Sequence, residues 1–207
     1  MRSMILRRLL LVLLAFSAGM VLRPAVRGEE AGAPATVQAL CDALQAAMKR
    51  GASLDFAARK ELLGPEIRRD LDLELMTRIV VGPPWRNLAP SDRQQVVEAF
   101  SDYCIATNVQ RIKSSSGGRF EVDPTPTLLP RGDRIVHTKL YTSDPNPVQL
   151  DYLMREDGGH WRIIDVYLSG TISELAARRS EYSTILRQGG APALVALLRK
   201  KTAELSD

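Results

Sequence analysis

Residues 148–201 read VQLDYLMREDGGHWRIIDVYLSGTISELAARRSEYSTILRQGGAPALVALLRKK, and two periodicities meet in them. Val148, Leu150, Tyr152 and Met154 alternate with polar residues, the period-2 mark of a strand with one buried face. Asp157-Gly158-Gly159 reads as a hairpin turn. His160–Leu168 follows as the partner strand, with Ile164, Val166 and Leu168 on one side and Trp161 and Ile163 on the other. Beyond it the period becomes 3.6, which predicts helices over 172–187 and 191–204, parted by Gly189-Gly190.

Upstream the same signals extend the pattern. Strands are predicted around Phe120 and Val122 and over 135–142, with Asp144-Pro145-Asn146-Pro147 as the turn into 148–155. Pro124, Pro126 and Pro130 make 124–133 an irregular edge or loop. Four helical segments precede these strands. One covers 36–50, with Thr36 as cap and Gly51 as terminator. The next covers 54–63 and breaks at Gly64-Pro65, leaving a short turn at 66–69; a third covers 73–81 and closes at Gly82-Pro83-Pro84. The longest opens at Pro90, a favoured first-turn residue, and runs to about Ile112. Helices, then antiparallel strands, then helices define an α+β class. The expectation is one domain over 36–205: a strongly twisted antiparallel four-stranded sheet wrapped by N- and C-terminal helices.

The first segment has another character. Arg2, Arg7 and Arg8 precede a fourteen-residue apolar run, Leu9–Leu22. That is the layout of a secretory signal peptide, and the run is shorter than the roughly 20 residues that span a bilayer. Residues 1–22 are therefore read as a signal peptide that directs export, with Ala15-Phe16-Ser17 as one cleavage option and 23–35 as a flexible leader. Removing 1–22 takes away three arginines and no acid, so 28 basic against 24 acidic residues becomes 25 against 24. A near-neutral chain gives no argument for nucleic acid. The basic residues near the C-terminus, from Arg178 to Lys201, read as solvated helix faces or as a docking surface. Cys41 and Cys104 fall on apolar helix positions; free buried thiols and a bridge between the two helices both remain open.

Catalytic chemistry is sparse. Of the two histidines, His137 lies in a strand and His160 at a hairpin exit, and no metal-ligand spacing, nucleophile elbow or phosphate loop accompanies them. No cofactor and no catalysis are expected. Asp165, in the otherwise apolar run Ile163–Tyr167, has two readings: a structural acid bonded to backbone or to Arg178 or Arg179, or a general base with a raised pKa. The other chemistry open to this chain is burial of hydrocarbon. A methylene is worth about 0.8 kcal/mol, so a two-chain lipid with on the order of thirty of them costs roughly 20 kcal/mol to lift from a bilayer. Only an enclosed aliphatic slot offsets that.

Four pieces in order carry a family resemblance: Val80-Val81-Gly82-Pro83-Pro84-Trp85-Arg86; Leu88–Gln94 with Glu98-Ala99-Phe100; Trp161–Val166; and Ile185–Gly190. Together they resemble the MlaC family of periplasmic lipid carriers, also called toluene-tolerance proteins. The stretch Gly170–Glu181 is more similar to the hopanoid-associated HpnM branch. Prolines at 83 and 84, and Ser114–Gly118 in place of a Tyr-rich link, depart from MlaC itself and lean the same way. The resemblance implies an NTF2-like sheet with a deep acyl-chain pocket, and a phospholipid or hopanoid as ligand. It also implies partners: an inner-membrane transporter (of the RND type in the HpnM branch) and an outer-membrane lipid-transfer complex. The lining expected on this reading is Leu75, Ile79, Trp85, Val97, Phe100, Leu150, Tyr152, Ile164, Val166, Leu168, Ile172 and Leu175, with Leu186 and Leu194 less firmly placed. Against it stand an NTF2-like enzyme for a small apolar substrate with Asp165 as base, and an interaction module with a solid core.

Overall fold

The computed structural model describes residues 32–50, 53–114 and 117–206. The segment read as a signal peptide, and residues 23–31 of the leader, lie outside the described residues. Four helices come first: α1 (Ala33–Arg50), α2 (Phe56–Asp70), α3 (Leu73–Val81) and α4 (Pro90–Ser114). Strands β1 (Arg119–Val122), β2 (Thr127–Leu128), β3 (Arg134–Tyr141), β4 (Val148–Asp157), β5 (His160–Leu168) and β6 (Ile172–Ser173) follow. Helix α5 (Glu174–Glu204) closes the chain.

The class is α+β, as the order of periodicities predicts, and the sheet is antiparallel with strand order β1-β3-β4-β5-β6. The four expected strands are β1, β3, β4 and β5. Two two-residue strands, too short to show a period, bring the sheet to six; β2 pairs with β3 inside the proline-rich segment, and β6 pairs with the end of β5.

Four local differences from the sequence expectation have physical causes. Helix α1 starts at Ala33 because the Gly32 carbonyl accepts from the N–H groups of Ala35 and Thr36, and Pro34 suits the first turn. Thr36 is thus inside the helix rather than its cap. Helix α2 runs through Gly64-Pro65 instead of breaking there. Leu63, Gly64 and Ile67 are buried on its inner face, and that burial outweighs the one backbone hydrogen bond that a proline forfeits. The last helix begins at Glu174, not Ile172, because Ser173 caps it by accepting from Ala176 N–H at 2.9 Å. It then continues past the two glycines as one element, bent where Gly190 adopts φ 65° and ψ −165°.

Helix α1 packs on the sheet, α5 packs on β5 and β6, α2 and α3 reach β5, and α4 packs on the other helices. Leu71 forms a parallel bridge to Ile163, and Asp72 N–H donates to the Ile163 carbonyl at 2.9 Å, which ties the α2–α3 corner to β5. Leu63, Val80, Val96, Tyr182, Leu194 and Leu198 are among the residues of a dense apolar core at the helical end.

Candidate functional site

Between α1, α4, the start of α5 and the inner face of the sheet lies a cavity of about 340 Å³. This is within the range of roughly 300–1,000 Å³ typical of small-molecule pockets. Its walls are mostly aliphatic. Leu40, Leu44 and Met48 recur at four-residue intervals along α1 and reach it from one side. Phe100, Tyr103, Cys104 and Ile112 reach it from α4. Ile67, Leu71 and Met76 close it at the α2–α3 corner.

The sheet supplies the remaining wall through cross-strand neighbours. Phe120 faces Leu140, and Leu140 faces Val148; Leu150 faces Leu168, and Tyr152 faces Val166. Residues on one face of adjacent strands form a continuous surface, so these side chains make one apolar sheet of hydrocarbon. Phe120, Leu140, Leu150, Val166 and Leu168 are only half-buried, and Val148 is exposed, although all six lie against the helices. All six border the cavity, and Phe120, Leu140, Leu150 and Val166 also pack against the buried core.

Polar groups gather at one rim. Thr107 and Asn108 satisfy themselves by donating to the carbonyls of Tyr103 and Cys104 one turn back, at 2.8 and 2.9 Å. Glu174 is bonded to Arg178 and sits 3.3 Å from an Arg111 nitrogen. Burial pushes the Glu174 carboxyl up, but the hydrogen bond and charge of Arg178, with the charge of Arg111, outweigh it and hold the carboxyl below the usual range. Glu174 therefore stays ionised at neutral pH, and the rim carries two guanidiniums against one carboxylate. Deep in the cavity, Tyr152 shares a hydrogen bond with Cys41, and burial pushes the phenol well above 10. Burial also pushes both thiols, Cys41 and Cys104, up to about 12. Both are free cysteines, which resolves the alternative of a bridge.

Of the residues expected as lining, Phe100, Leu150, Tyr152, Val166, Leu168 and Leu175 border this cavity. The others do not. Leu75 and Ile79 are half-buried on α3, whose inner face is Leu73, Met76, Thr77, Val80 and Val81; Met76 is the one that reaches the cavity. Trp85 lines a separate cleft, and Val97 packs against the solid core. Leu186 and Leu194 are buried in that core. Ile172, in β6 at the sheet edge, is 57% exposed. Ile164 is displaced by a β-bulge: Leu153 pairs with Asp165 and Met154 with Ile163, so Ile164 has no partner and the alternation slips by one residue. Ile163 consequently takes the inward position beside Met154.

The bulge also bears on Asp165. Its carboxylate accepts from Val166 N–H at 2.8 Å, Leu175 N–H at 3.3 Å and Ser173 Oγ at 2.5 Å. Asp165 is not among the cavity-lining residues; it anchors the start of α5 to β5, the structural one of its two readings. Asp151 is likewise engaged, with His137 Nδ1 at 3.1 Å and the amide of Gln149 at 3.0 Å. Among the described residues no group of three or more His, Cys, Asp or Glu is arranged to hold a metal ion. No described helix is long and apolar enough to cross a membrane.

An antiparallel sheet facing helices across an apolar cavity, with polar groups at one rim, defines an α+β protein built around a hollow. The chain belongs to the MlaC protein family, whose sequence pattern matches residues 37–200. It is also similar in structure to a phospholipid-binding protein from Ralstonia solanacearum solved in complex with a phospholipid. The two chains are 22% identical and superpose with a TM-score of 0.73, over 84% of this chain and 99% of the other.

Proposed function

We propose that this protein is a non-catalytic lipid carrier that holds hydrocarbon chains in the cavity and leaves the polar headgroup at the Arg111–Glu174–Arg178 rim. The observation that carries this reading is the aliphatic wall of Leu140, Leu150, Val166 and Leu168, half-buried against empty space on the inside of the sheet. Apolar groups in that position gain about 25 cal/mol for each Å² that a bound chain covers. Membership of the MlaC family and the phospholipid bound by the Ralstonia solanacearum protein support the same reading.

The finer parts of the proposal are these. The ligand is a phospholipid or, on the HpnM-like features of Gly170–Glu181, a hopanoid. The site of action is the periplasm, reached through the segment 1–22. The folded unit is one domain covering 36–205 together with the first turn of α1. The partners are an inner-membrane transporter and an outer-membrane lipid-transfer complex.

The test is uptake. Delipidated protein is incubated with vesicles of phosphatidylglycerol, or with the same vesicles containing a hopanoid, then separated and its bound lipid identified by mass spectrometry. One lipid class retained at close to one molecule per chain is the expected result. Retention of neither class, by protein shown to be folded, would remove the carrier reading and return attention to a small-molecule pocket.

A further inference from the structure

On another side of α5 lies a second concavity whose chemistry is the reverse of the cavity's. Its walls are Gly82 and Pro83, Trp85, and four arginines drawn from three helices and the connection between them: Arg78, Arg86, Arg93 and Arg179. Not one acidic side chain lines it. Among the described residues none of the four guanidiniums has a carboxylate partner, whereas Arg68, Arg69, Arg111, Arg119, Arg155 and Arg178 all do.

The cluster is held in place by the fold. Arg93 donates to the carbonyls of Trp85 at 3.2 Å and Arg86 at 2.9 Å, and its guanidinium lies 5.7 Å from the Trp85 ring centre. Those bonds clamp the Pro83–Asn87 turn against the start of α4. Gly82 ends α3 with φ 72°, a conformation that favours glycine. The Arg179 guanidinium packs so closely on it that a Cβ at position 82 would stand 2.7 Å from one of its nitrogens. Gly82 therefore does two things: it turns the chain, and it makes the space that admits a fourth cation.

Four like charges converging on one concavity repel one another, and no protein carboxylate there offsets them. Guanidinium forks match the oxygens of phosphate in pairs. We infer that this cleft, flanked by Arg78, Arg86 and Arg179 and braced by Arg93, is a binding site for a phosphate oxyanion, distinct from the lipid cavity. Two sources present that chemistry: a free phosphorylated solute, or the phosphate of an anionic lipid headgroup at a bilayer surface. Arg178 lines the cavity and Arg179 the cleft, so one turn of α5 borders both. The inference does not depend on what the cavity holds.

The test uses purified protein in low-ionic-strength buffer and a triple variant, Arg78→Gln, Arg86→Gln and Arg179→Gln. Arg93 is left intact because it supports the turn. Calorimetric titration with inorganic pyrophosphate is expected to give saturable one-site binding to the wild type. The triple variant is expected to bind it about tenfold more weakly or worse, with an unchanged circular dichroism spectrum and unchanged bound lipid. A second arm sediments both proteins with vesicles of phosphatidylglycerol or of phosphatidylcholine. Capture by phosphatidylglycerol alone, reversed by pyrophosphate and lost in the variant, identifies the headgroup as the source; pyrophosphate binding without vesicle capture identifies a solute. Absence of saturable pyrophosphate binding, or equal affinity in the variant, would overturn the inference. So would variant-sensitive binding of poly-glutamate by protein that does not bind pyrophosphate, which would make the cleft a docking surface for an acidic protein.

Discussion

The two ends of this molecule are built from the same aliphatic residues and come out differently. At the helical end, α3, α4 and α5 pack on one another, and Val80, Tyr182, Leu194 and Leu198 are at most 1% exposed. At the other end α1 and α4 face a sheet, and Leu140, Leu150, Val166 and Leu168 stay half-open around the cavity. Helices packed on helices bring ridges into grooves at close range. A sheet facing helices offers no such fit, and here part of its inner face borders the cavity. The lesson is that a hollow is a property of how elements oppose one another, not of the residues that line it.

Matched substitutions at the two ends test that contrast. The largest effect is expected for Leu194→Ala, which deletes a fully buried side chain in the closed core. It should cost about 2–5 kcal/mol in urea unfolding, while Leu150→Ala at the cavity wall costs about 1 kcal/mol or less in lipid-free protein. Enlargement should show the same contrast. Val80→Phe overpacks the closed end and should lose about 1–3 kcal/mol, whereas Leu150→Phe grows into open space and should leave stability within about 0.5 kcal/mol while lowering lipid content. Equal costs at the two positions would mean that the cavity wall is ordinary core.

A smaller effect concerns the rim. The folded-state pKa of Glu174 lies below its ordinary value, and so does that of Asp133, whose carboxylate takes hydrogen bonds from Arg155 at 2.8 Å. The unfolded chain therefore binds protons more readily than the folded one. Both groups contribute their stability above the ordinary carboxylate pKa, about 4, and lose it as the pH falls through the lowered folded values. Urea midpoints measured from pH 7 down to pH 3 should fall, and Glu174→Gln should flatten the fall. The smallest effect is chemical. With both thiols pushed up to about 12, neither Cys41 nor Cys104 should be alkylated by iodoacetamide in native protein at pH 7.5 over the time that labels unfolded protein completely.

The closed end was the more legible in sequence. There the bounds of α3 follow from the terminating Gly82-Pro83-Pro84, and the start of α4 from Pro90. The cavity was legible mainly on its sheet side, where period 2 aligned Leu150 with Tyr152 and Val166 with Leu168 and the structure brings the two pairs together; on the helices only Phe100 and Leu175 were anticipated. Ile164 shows how that reading fails: a bulge is a one-residue slip that leaves composition untouched, so alternation runs on past the point where the backbone breaks it. Leu75, Ile79 and Trp85 lie away from the cavity for another reason. Helical periodicity identifies an apolar stripe but not whether the stripe meets a packed neighbour or a space.

The residues not anticipated in the lining did leave a trace. Leu40, Leu44 and Met48 form a four-residue repeat on α1, and the stripe on α4 turns polar at Thr107, Asn108 and Arg111 toward its C-terminal end. An amphipathic face that changes from greasy to charged along its length is what a slot with a wet mouth requires, and the order of the amino acids alone displays it. The arginine cleft had no comparable signal, because Arg78, Arg86, Arg93 and Arg179 converge only after α3, the Pro83–Asn87 turn, α4 and α5 are assembled.

Native mass spectrometry of protein purified without detergent puts the central claim to its most direct trial. The expected mass is that of one chain plus one lipid, with the adduct lost in Leu150→Trp, whose indole would occupy the hollow. A bare chain in every preparation, together with no adduct after incubation with lipid vesicles, would contradict it.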